Sequence, residues 1–223
     1  MSESLIKETG NMVFGSKRQT FDSRVEILKW IAMITMVIDH VGIFFFPEET
    51  WMRVIGRIAF PLFMILFVEG AVRTRNPKSH AVRIWLFALL SQVPYTLLFN
   101  TYQLNVLFAM ILVLMVIRDI RMIGLAVLLL YMFDVDYGWY GVILGLSWYY
   151  LRKHKGLAWV IGSALTLIYA WETGWYVQIG AIMGLVLLVL PIKAPMPQMP
   201  KSFFFWFYPV HMAIIFVLWM ATL

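Results

Sequence analysis

The chain has 223 residues, of which 62% are hydrophobic and 13% are charged, with a formal net charge of +6 and a mean hydropathy of +0.81. Soluble globular proteins contain about 45–50% apolar and about 25% charged residues, so this composition excludes that class, and its apolar content excludes intrinsic disorder. The absence of cysteine excludes a disulfide framework, a thiolate metal site and a cysteine nucleophile. The composition therefore predicts an all-α polytopic membrane protein.

The first segment of the chain, residues 1–28, is polar and is predicted to be a cytosolic tail, with a single transmembrane helical domain at 29–223. About nine apolar segments of roughly 14–20 residues follow the tail, close to the 20 residues or so that a spanning helix needs. The shorter ones require tilt, local bilayer thinning or burial inside the bundle. The predicted spans are 29–46, 53–72, 81–99, 103–117, 121–133, 138–151, 157–171, 174–191 and 203–222.

The linkers between these segments alternate in charge. Lysines and arginines lie in the tail and in the linkers after the second, fourth, sixth and eighth segments, whereas the other linkers contain neither. Basic linkers favour the cytoplasmic side, so the alternation predicts nine spans with a cytoplasmic N-terminus and an extracytoplasmic C-terminus. Because the basic residues are scattered over separate short loops, we expect no nucleic-acid partner.

One short motif is repeated at the predicted outer boundary. Asp136-Tyr-Gly-Trp-Tyr140 recurs as Glu172-Thr-Gly-Trp-Tyr176. Two interpretations are open, and both can hold: an aromatic belt at the headgroups, and a pair of acids, Asp136 and Glu172, facing one outward mouth. Each copy is followed by two small residues at a spacing that permits close helix packing. These pairs are Gly141/Gly145 and Gly180/Gly184.

Ionisable side chains inside the predicted spans mark a candidate site, because charge within hydrocarbon is costly. From the helical rise, Asp39 lies roughly 10 Å and Arg57 roughly 6 Å below the outer boundary, on adjacent spans. We therefore expect an Asp39–Arg57 ion pair, which either locks two helices together or also belongs to a site. Glu69 is expected to pair with Arg73 at the i+4 position.

Two histidines lie at a comparable depth. His40 points about 100° away from Asp39 around the helix and is free to face a cavity, and His211 lies near the midplane after Tyr208-Pro209. Each alone is more often a hydrogen-bonded core residue, but imidazole is suited to proton transfer near neutrality. Asn105 either caps the fourth span or donates into the site. No histidine spacing typical of a metal site occurs.

Three stretches of sequence resemble the TraX family: Ile38-Asp-His-Val-Gly42, Gly56-Arg-Ile-Ala-Phe-Pro-Leu-Phe63 and Tyr208-Pro-Val-His211. TraX proteins are polytopic membrane acetyltransferases named for N-terminal acetylation of conjugative pilin. They are similar to a wider transmembrane acyltransferase group that includes heparan-alpha-glucosaminide N-acetyltransferase. The resemblance implies a bacterial cytoplasmic (inner) membrane protein that uses acetyl-CoA as the acetyl donor. It also implies an extracytoplasmic acceptor, which is a pilin-like N-terminus, another peptide or an amino sugar.

The resemblance assigns roles to the residues named above. His40, next to Asp39, is the candidate base, and Asn105, Tyr208 or Arg57 would stabilise the oxyanion. His211 completes the catalytic candidates. The outer acids, Asp136 and Glu172, would attract a cationic acceptor. Basic residues of the second inner linker would bind the CoA phosphates: Arg73, Arg75, Lys78 and Arg83.

Two other functions fit the same residues. A proton-coupled transporter of a small cationic or amino substrate would also bury Asp, His and Arg at mid-depth, although the sequence contains no inverted repeat. A non-catalytic assembly partner of a secretion or conjugation apparatus would leave His40 and Arg57 dispensable.

For the acetyltransferase, the absence of cysteine favours direct acetyl transfer, with a transient acetyl-histidine as the alternative.

Overall fold

The computed structural model describes residues 23–190, 192 and 196–222. Most of the predicted tail, at residues 1–22, lies outside the described residues. The described part is helical, with one isolated bridge between Leu104 and Val135. The helices are α1 (Ser23–Phe45), α2 (Thr50–Gly56), α3 (Ala59–Arg73), α4 (Pro77–Phe99), α5 (Val106–Arg118), α6 (Ile123–Met132), α7 (Gly138–Leu151), α8 (Lys155–Thr173), α9 (Ala181–Val189) and α10 (Lys201–Met220).

Each predicted span coincides with a helical stretch, and the described chain contains four stretches long and apolar enough to cross a bilayer. They are Ser23–Phe45, Thr50–Arg73, Pro77–Phe99 and Ser202–Met220. Three further apolar helical stretches are shorter: Val106–Arg118, Ile120–Met132 and Tyr176–Val189. The helix α1 begins at Ser23, ahead of the predicted boundary at residue 29.

The second long stretch is the centre of the bundle. It is divided at Arg57–Ile58 into α2 and α3, and α3 packs against α1, α5, α7 and α9. Two-thirds of its most apolar window is buried, about twice the fraction of the other three long stretches. The stretch that contains Arg53 and Arg57 is therefore the one most enclosed by protein among these four.

The glycines that follow the two repeat copies allow this close packing, as their spacing predicted. A Cβ on Gly180 would lie 2.2 Å from the carbonyl oxygen of Val54, and one on Gly184 would lie 2.8 Å from that of Ile58. On the other copy, a Cβ on Gly145 would lie 2.9 Å from atoms of Met64 and Val113. The backbones of neighbouring helices therefore approach α2 and α3 closely enough that a methyl group would not fit.

Two linkers that the sequence predicts on the outer side are joined by backbone hydrogen bonds. Leu104 N–H donates to the Asp134 carbonyl, and Asp136 N–H donates to the Leu104 carbonyl, both at 2.8 Å. The Gln103 amide also donates to the Asp134 carboxylate at 2.9 Å. This short bridge holds Asp136 in place beside the ends of α5 and α7.

The contact between α1 and the break after α2 generates a stability prediction. A Cβ on Gly56 would lie 2.2 Å from the Cβ of Asp39. We expect Gly56→Ala to lower the free energy of unfolding by about 1–3 kcal/mol, because a packed interior relaxes only partly. Denaturant titration in detergent micelles measures this. Gly124→Ala, where no atom lies within 4 Å of the new methyl, is the matched control. Equal stability of both variants would contradict the prediction.

Candidate active site

A cavity of about 1390 Å³ lies among α1, α3, α4 and α10. Its volume exceeds the range of about 300–1,000 Å³ that is usual for small-molecule pockets. The lining extends from Arg57, at the break before α3, to Arg73 at the end of α3, a helical rise of roughly 24 Å. His40 contributes to the same lining, and so does Asp136 from an outer linker. One continuous space therefore contacts residues from both sets of linkers and a histidine within the bundle.

The predicted ion pair between Asp39 and Arg57 is confirmed. The Arg57 Nη2 donates directly to Asp39 Oδ2, and the two side chains are 6% and 8% exposed. Arg53 Nε lies 3.6 Å from the other carboxylate oxygen. Each charge is deprived of water, so its opposite partner is required to hold it there, since an unpaired buried ion is strongly unfavourable.

Residues of the two repeat copies surround Arg57. Arg57 Nη1 donates to the Tyr137 hydroxyl at 3.2 Å, and the Trp175 ring lies 5.6 Å from the Arg57 guanidinium carbon. Tyr137 has a left-handed backbone, with φ of +60°, which costs a non-glycine residue about 1–2 kcal/mol. Its ring stacks on Phe60 at 3.7 Å between centroids. The contacts of the side chain offset the backbone strain. The repeat was the sequence signal for Tyr137 and Trp175, whose roles were not predicted.

The two histidines meet across α1 and α10. His40 Nδ1 and His211 Nε2 are 3.0 Å apart, and their ring planes differ by 10°. His211 Nδ1 lies 2.8 Å from the Phe207 carbonyl oxygen. His40 lines the cavity, whereas His211 is buried behind it and is not part of the lining. The sequence placed both rings at similar depth but gave no indication of their contact, because it contains no information on which helices are neighbours.

Asn105 has the contacts of a capping residue. Its side-chain oxygen accepts from Leu107 N–H at 3.0 Å, and its amide nitrogen donates to the Ala88 carbonyl and to Gln92 Oε1 at 2.9 and 2.8 Å. Asn105 is fully buried and is not part of the cavity lining. Of the two interpretations left open, the geometry favours the cap. Tyr208 and Arg57, by contrast, both line the cavity.

The two outer acids are not brought together. Asp136 lines the cavity beside Arg57, whereas Glu172 is exposed on the last turn of α8 and is not part of the lining. Gly174, at φ of +70°, ends α8 and directs the chain back toward the bundle only after Glu172. Of the two acids, Asp136 alone therefore lies in the lining, and the predicted attraction of a cationic acceptor by Glu172 stays a prediction. Burial raises the pKa of Asp136 to about 7, against the opposing effect of the Arg57 charge.

The predicted basic cluster is also divided. Arg73 and Arg83 line the cavity, whereas Arg75 and Lys78 are exposed and are not part of the lining. The predicted pair of Arg73 with Glu69 is confirmed at 3.0 Å, and Glu69 also accepts from Trp148 Nε1. Other basic residues share the lining instead: Arg24, Lys29, Arg152, Lys153 and Lys155.

The model of the family described as TraX protein matches residues 24–219. The chain belongs to the TraX family. It is 28% identical to Protein TraX of Escherichia coli over 86% of each chain. It is 29% identical to a probable fimbrial assembly protein, FimC of serogroup H1, from Dichelobacter nodosus, over 84% of this chain and 92% of that one. No solved structure matches it.

Among the described residues, no group of three or more His, Asp or Glu side chains is arranged to hold a metal ion.

The buried ion pair predicts a strong energetic coupling. Asp39→Asn should destabilise the protein by about 3–5 kcal/mol, because it leaves Arg57 buried without its carboxylate partner. Arg57→Gln should also be destabilising, because it leaves Asp39 with only the more distant Arg53 as a counter-charge. The double variant should lose less than the sum of the two. Denaturant titration of the four proteins in detergent measures the coupling. The exposed Asp119–Arg121 pair, changed in the same way, should show none and serves as the control. Additive losses at Asp39 and Arg57 would refute the coupling.

Asp136 predicts a specific pH dependence of stability. Its pKa is raised by burial to about 7 from an ordinary value of 3.8, so the folded protein holds a proton that the unfolded chain releases. The resulting stabilisation is complete below about pH 4 and is lost as the pH rises through about 7. Relative to Asp136→Asn, which stays neutral, the parent protein should therefore lose stability between pH 4 and pH 7. Unfolding curves at several pH values measure this, and parallel pH profiles would contradict it.

Proposed function

We propose that the protein is a membrane-embedded acetyltransferase that moves acetyl from cytosolic acetyl-CoA to an extracytoplasmic amine. The observation that carries this proposal is one continuous cavity whose lining contains Arg73 and Arg83, His40 and Asp136. A two-substrate transfer requires both reactants to reach one catalytic group at the same time. A cavity that contacts both sets of linkers supplies that access.

The proposed orientation is nine spans in the bacterial cytoplasmic membrane, with the N-terminus in the cytoplasm and the C-terminus outside. The charge alternation of the linkers supports it. The cavity agrees, since Arg73 and Asp136, from linkers of opposite predicted sides, lie near opposite ends of α3. The short helices would then be accommodated by protein burial and local thinning of the bilayer.

The inner lining suits the polyanionic CoA moiety. Arg73 and Arg83 contribute planar guanidinium groups, which can bind phosphate through bidentate hydrogen bonds. A basic group on the turn between α7 and α8 extends this surface with Arg152, Lys153 and Lys155. We propose that these residues, rather than Arg75 and Lys78, hold the nucleotide.

The reaction itself would use groups in the cavity wall. His40 takes a proton from the amine as the nitrogen attacks the thioester carbonyl. Arg57 and Tyr208, both in the lining, are the candidates to stabilise the oxyanion. Asp136, when ionised, attracts a cationic acceptor to the outer end. The Dichelobacter nodosus relative is named a fimbrial assembly protein, which favours a pilin-like polypeptide among the acceptors.

The rival function is a proton-coupled carrier. It would bury the same Asp39, His40 and Arg57. A carrier works by closing one side of its site while the other is open, whereas here one lining includes residues of both linker sets. This observation favours the enzyme.

An acetylation assay tests the proposal. The purified protein in nanodiscs is incubated with labelled acetyl-CoA and a panel of peptide, pilin-like, amino-sugar and lipid amines. We expect label transfer to at least one class of amine. Absence of transfer together with accumulation of an amino substrate in proteoliposomes would favour the carrier. Normal pilus or conjugation function of His40 and Arg57 variants would favour the non-catalytic assembly partner.

The assignment of the base gives a sharper prediction. His40→Ala should lower acetyl transfer by about 10²–10⁴-fold, because that is the usual contribution of a positioned base. Binding of CoA, measured by calorimetry, should be unchanged because the basic residues are intact. His154→Ala, at an exposed residue outside the cavity lining, is the matched control and should retain full turnover. Full turnover by the His40 variant would show that another group is the base.

A further inference from the structure

The hydrogen bonds of His211 determine which of its nitrogens carries a proton. His211 Nδ1 lies 2.8 Å from the carbonyl oxygen of Phe207. A carbonyl oxygen only accepts hydrogen bonds, so Nδ1 of His211 must be the donor. A neutral imidazole has one N–H, and Nε2 of His211 is therefore left as an acceptor.

The same reasoning extends to His40. Its Nδ1 lies 3.0 Å from His211 Nε2, which has no proton to give. His40 Nδ1 must then carry the proton and donate it to His211. In neutral His40 the lone pair consequently lies on Nε2, which is the nitrogen that the contact with His211 leaves free.

The surrounding rings hold this arrangement. Phe207 stacks on His211 with centroids 4.6 Å apart and planes 6° from parallel, and Phe99 meets His40 edge to face at 5.2 Å. Aromatic contacts of this kind restrict ring rotation. Only His40 of the two histidines reaches the cavity. His211 thus lies where it orients its neighbour without contacting a substrate.

We propose that His211 is a positioning residue that fixes His40 in the tautomer with its proton on Nδ1 and its lone pair on Nε2. This inference rests on the acetyltransferase function proposed above. It changes the predicted role of His211 from a catalytic group to one that acts through His40. A neutral imidazole at this buried position performs the role at a smaller desolvation cost than a carboxylate would.

The consequence for the reaction is a defined proton path. The amine nitrogen attacks the thioester carbonyl carbon and forms the C–N bond, while one of its protons passes to His40 Nε2. The C–S bond then breaks, and the departing CoA sulfur takes the proton from His40 Nε2, which leaves an amide and a thiol. Throughout the reaction, His40 Nδ1–H continues to donate to His211 Nε2. This hydrogen bond stabilises the imidazolium that His40 transiently becomes.

Two substitutions at His211 separate positioning from proton transfer. In His211→Gln the amide oxygen takes about the place of Nε2 and accepts from His40 Nδ1–H, but it cannot carry a proton onward. In His211→Leu no acceptor remains. We expect the leucine variant to lose about 10²-fold or more in kcat with an unchanged KM for acetyl-CoA, and the glutamine variant to remain within about 10-fold of the parent. His154→Leu, at an exposed histidine, should be unaffected.

Either of two kinetic results would overturn the proposal. Parental kcat in His211→Leu would show that the acceptor is not needed. A loss in His211→Gln as large as that in His211→Leu would show that His211 must itself exchange protons. The rates of the two variants are compared only if both retain the parental thermal unfolding profile in detergent.

A spectroscopic measurement tests the tautomer apart from activity. In protein labelled with 15N-histidine, the His40 signals should show a protonated Nδ1 and an unprotonated Nε2 near neutral pH, and His211→Leu should shift them toward the other tautomer. Protonation of Nε2 in the parent protein would overturn the inference even in an active enzyme. A protonated Nδ1 in a protein with no acetyl transfer would retain the hydrogen-bond assignment and refute the proposed function instead.

Discussion

A carboxylate and a guanidinium within the helical bundle set the conditions for everything around them. Asp39 and Arg57 are both buried and joined directly, and neither charge is tolerable there without the other. Their contact requires α1 to approach the break after α2 so closely that residue 56 must be glycine. Tyr137 and Trp175 then cover the guanidinium from the outer side. The ion pair thus links helix packing to the composition of the cavity wall.

The placement of small residues explains how a polar cavity coexists with a well-packed membrane domain. On one side of the broken stretch, Gly180 and Gly184 bring backbone against backbone and leave no free space. In α3 the side chains Phe60 and Phe63 line the open space. Hydrocarbon supplies no hydrophobic driving force between helices, so close packing of this kind is a main source of helix association in a membrane. It also allows the bundle to enclose a large cavity elsewhere.

Under the proposed function, the charges along the cavity match the two substrates. Arg73 and Arg83 suit phosphate, Asp136 suits a cation, and His40, which contacts His211, contributes to the same lining. In the neutral pair, the hydrogen bonds run in one direction, from His40 through His211 to a backbone carbonyl.

The sequence by itself determined the features that depend on composition and local spacing. Hydropathy predicted the helical segments, and the i+4 spacing predicted the Glu69–Arg73 pair, because both depend on neighbours along the chain. Equal depth on two consecutive helices predicted the Asp39–Arg57 pair, and glycine spacing predicted that close helix contacts would form. The family was also recognisable from three short motifs.

Only the tertiary structure decided which distant side chains meet. In the structure, His40 contacts His211, and Asn105 caps a helix. Asp136 lines the cavity, whereas Glu172, Arg75 and Lys78 lie outside the lining. These outcomes depend on the rotation of each helix and on the conformation of the linkers. An apolar sequence leaves those rotations undetermined, because nearly every face of such a helix is compatible with either lipid or protein.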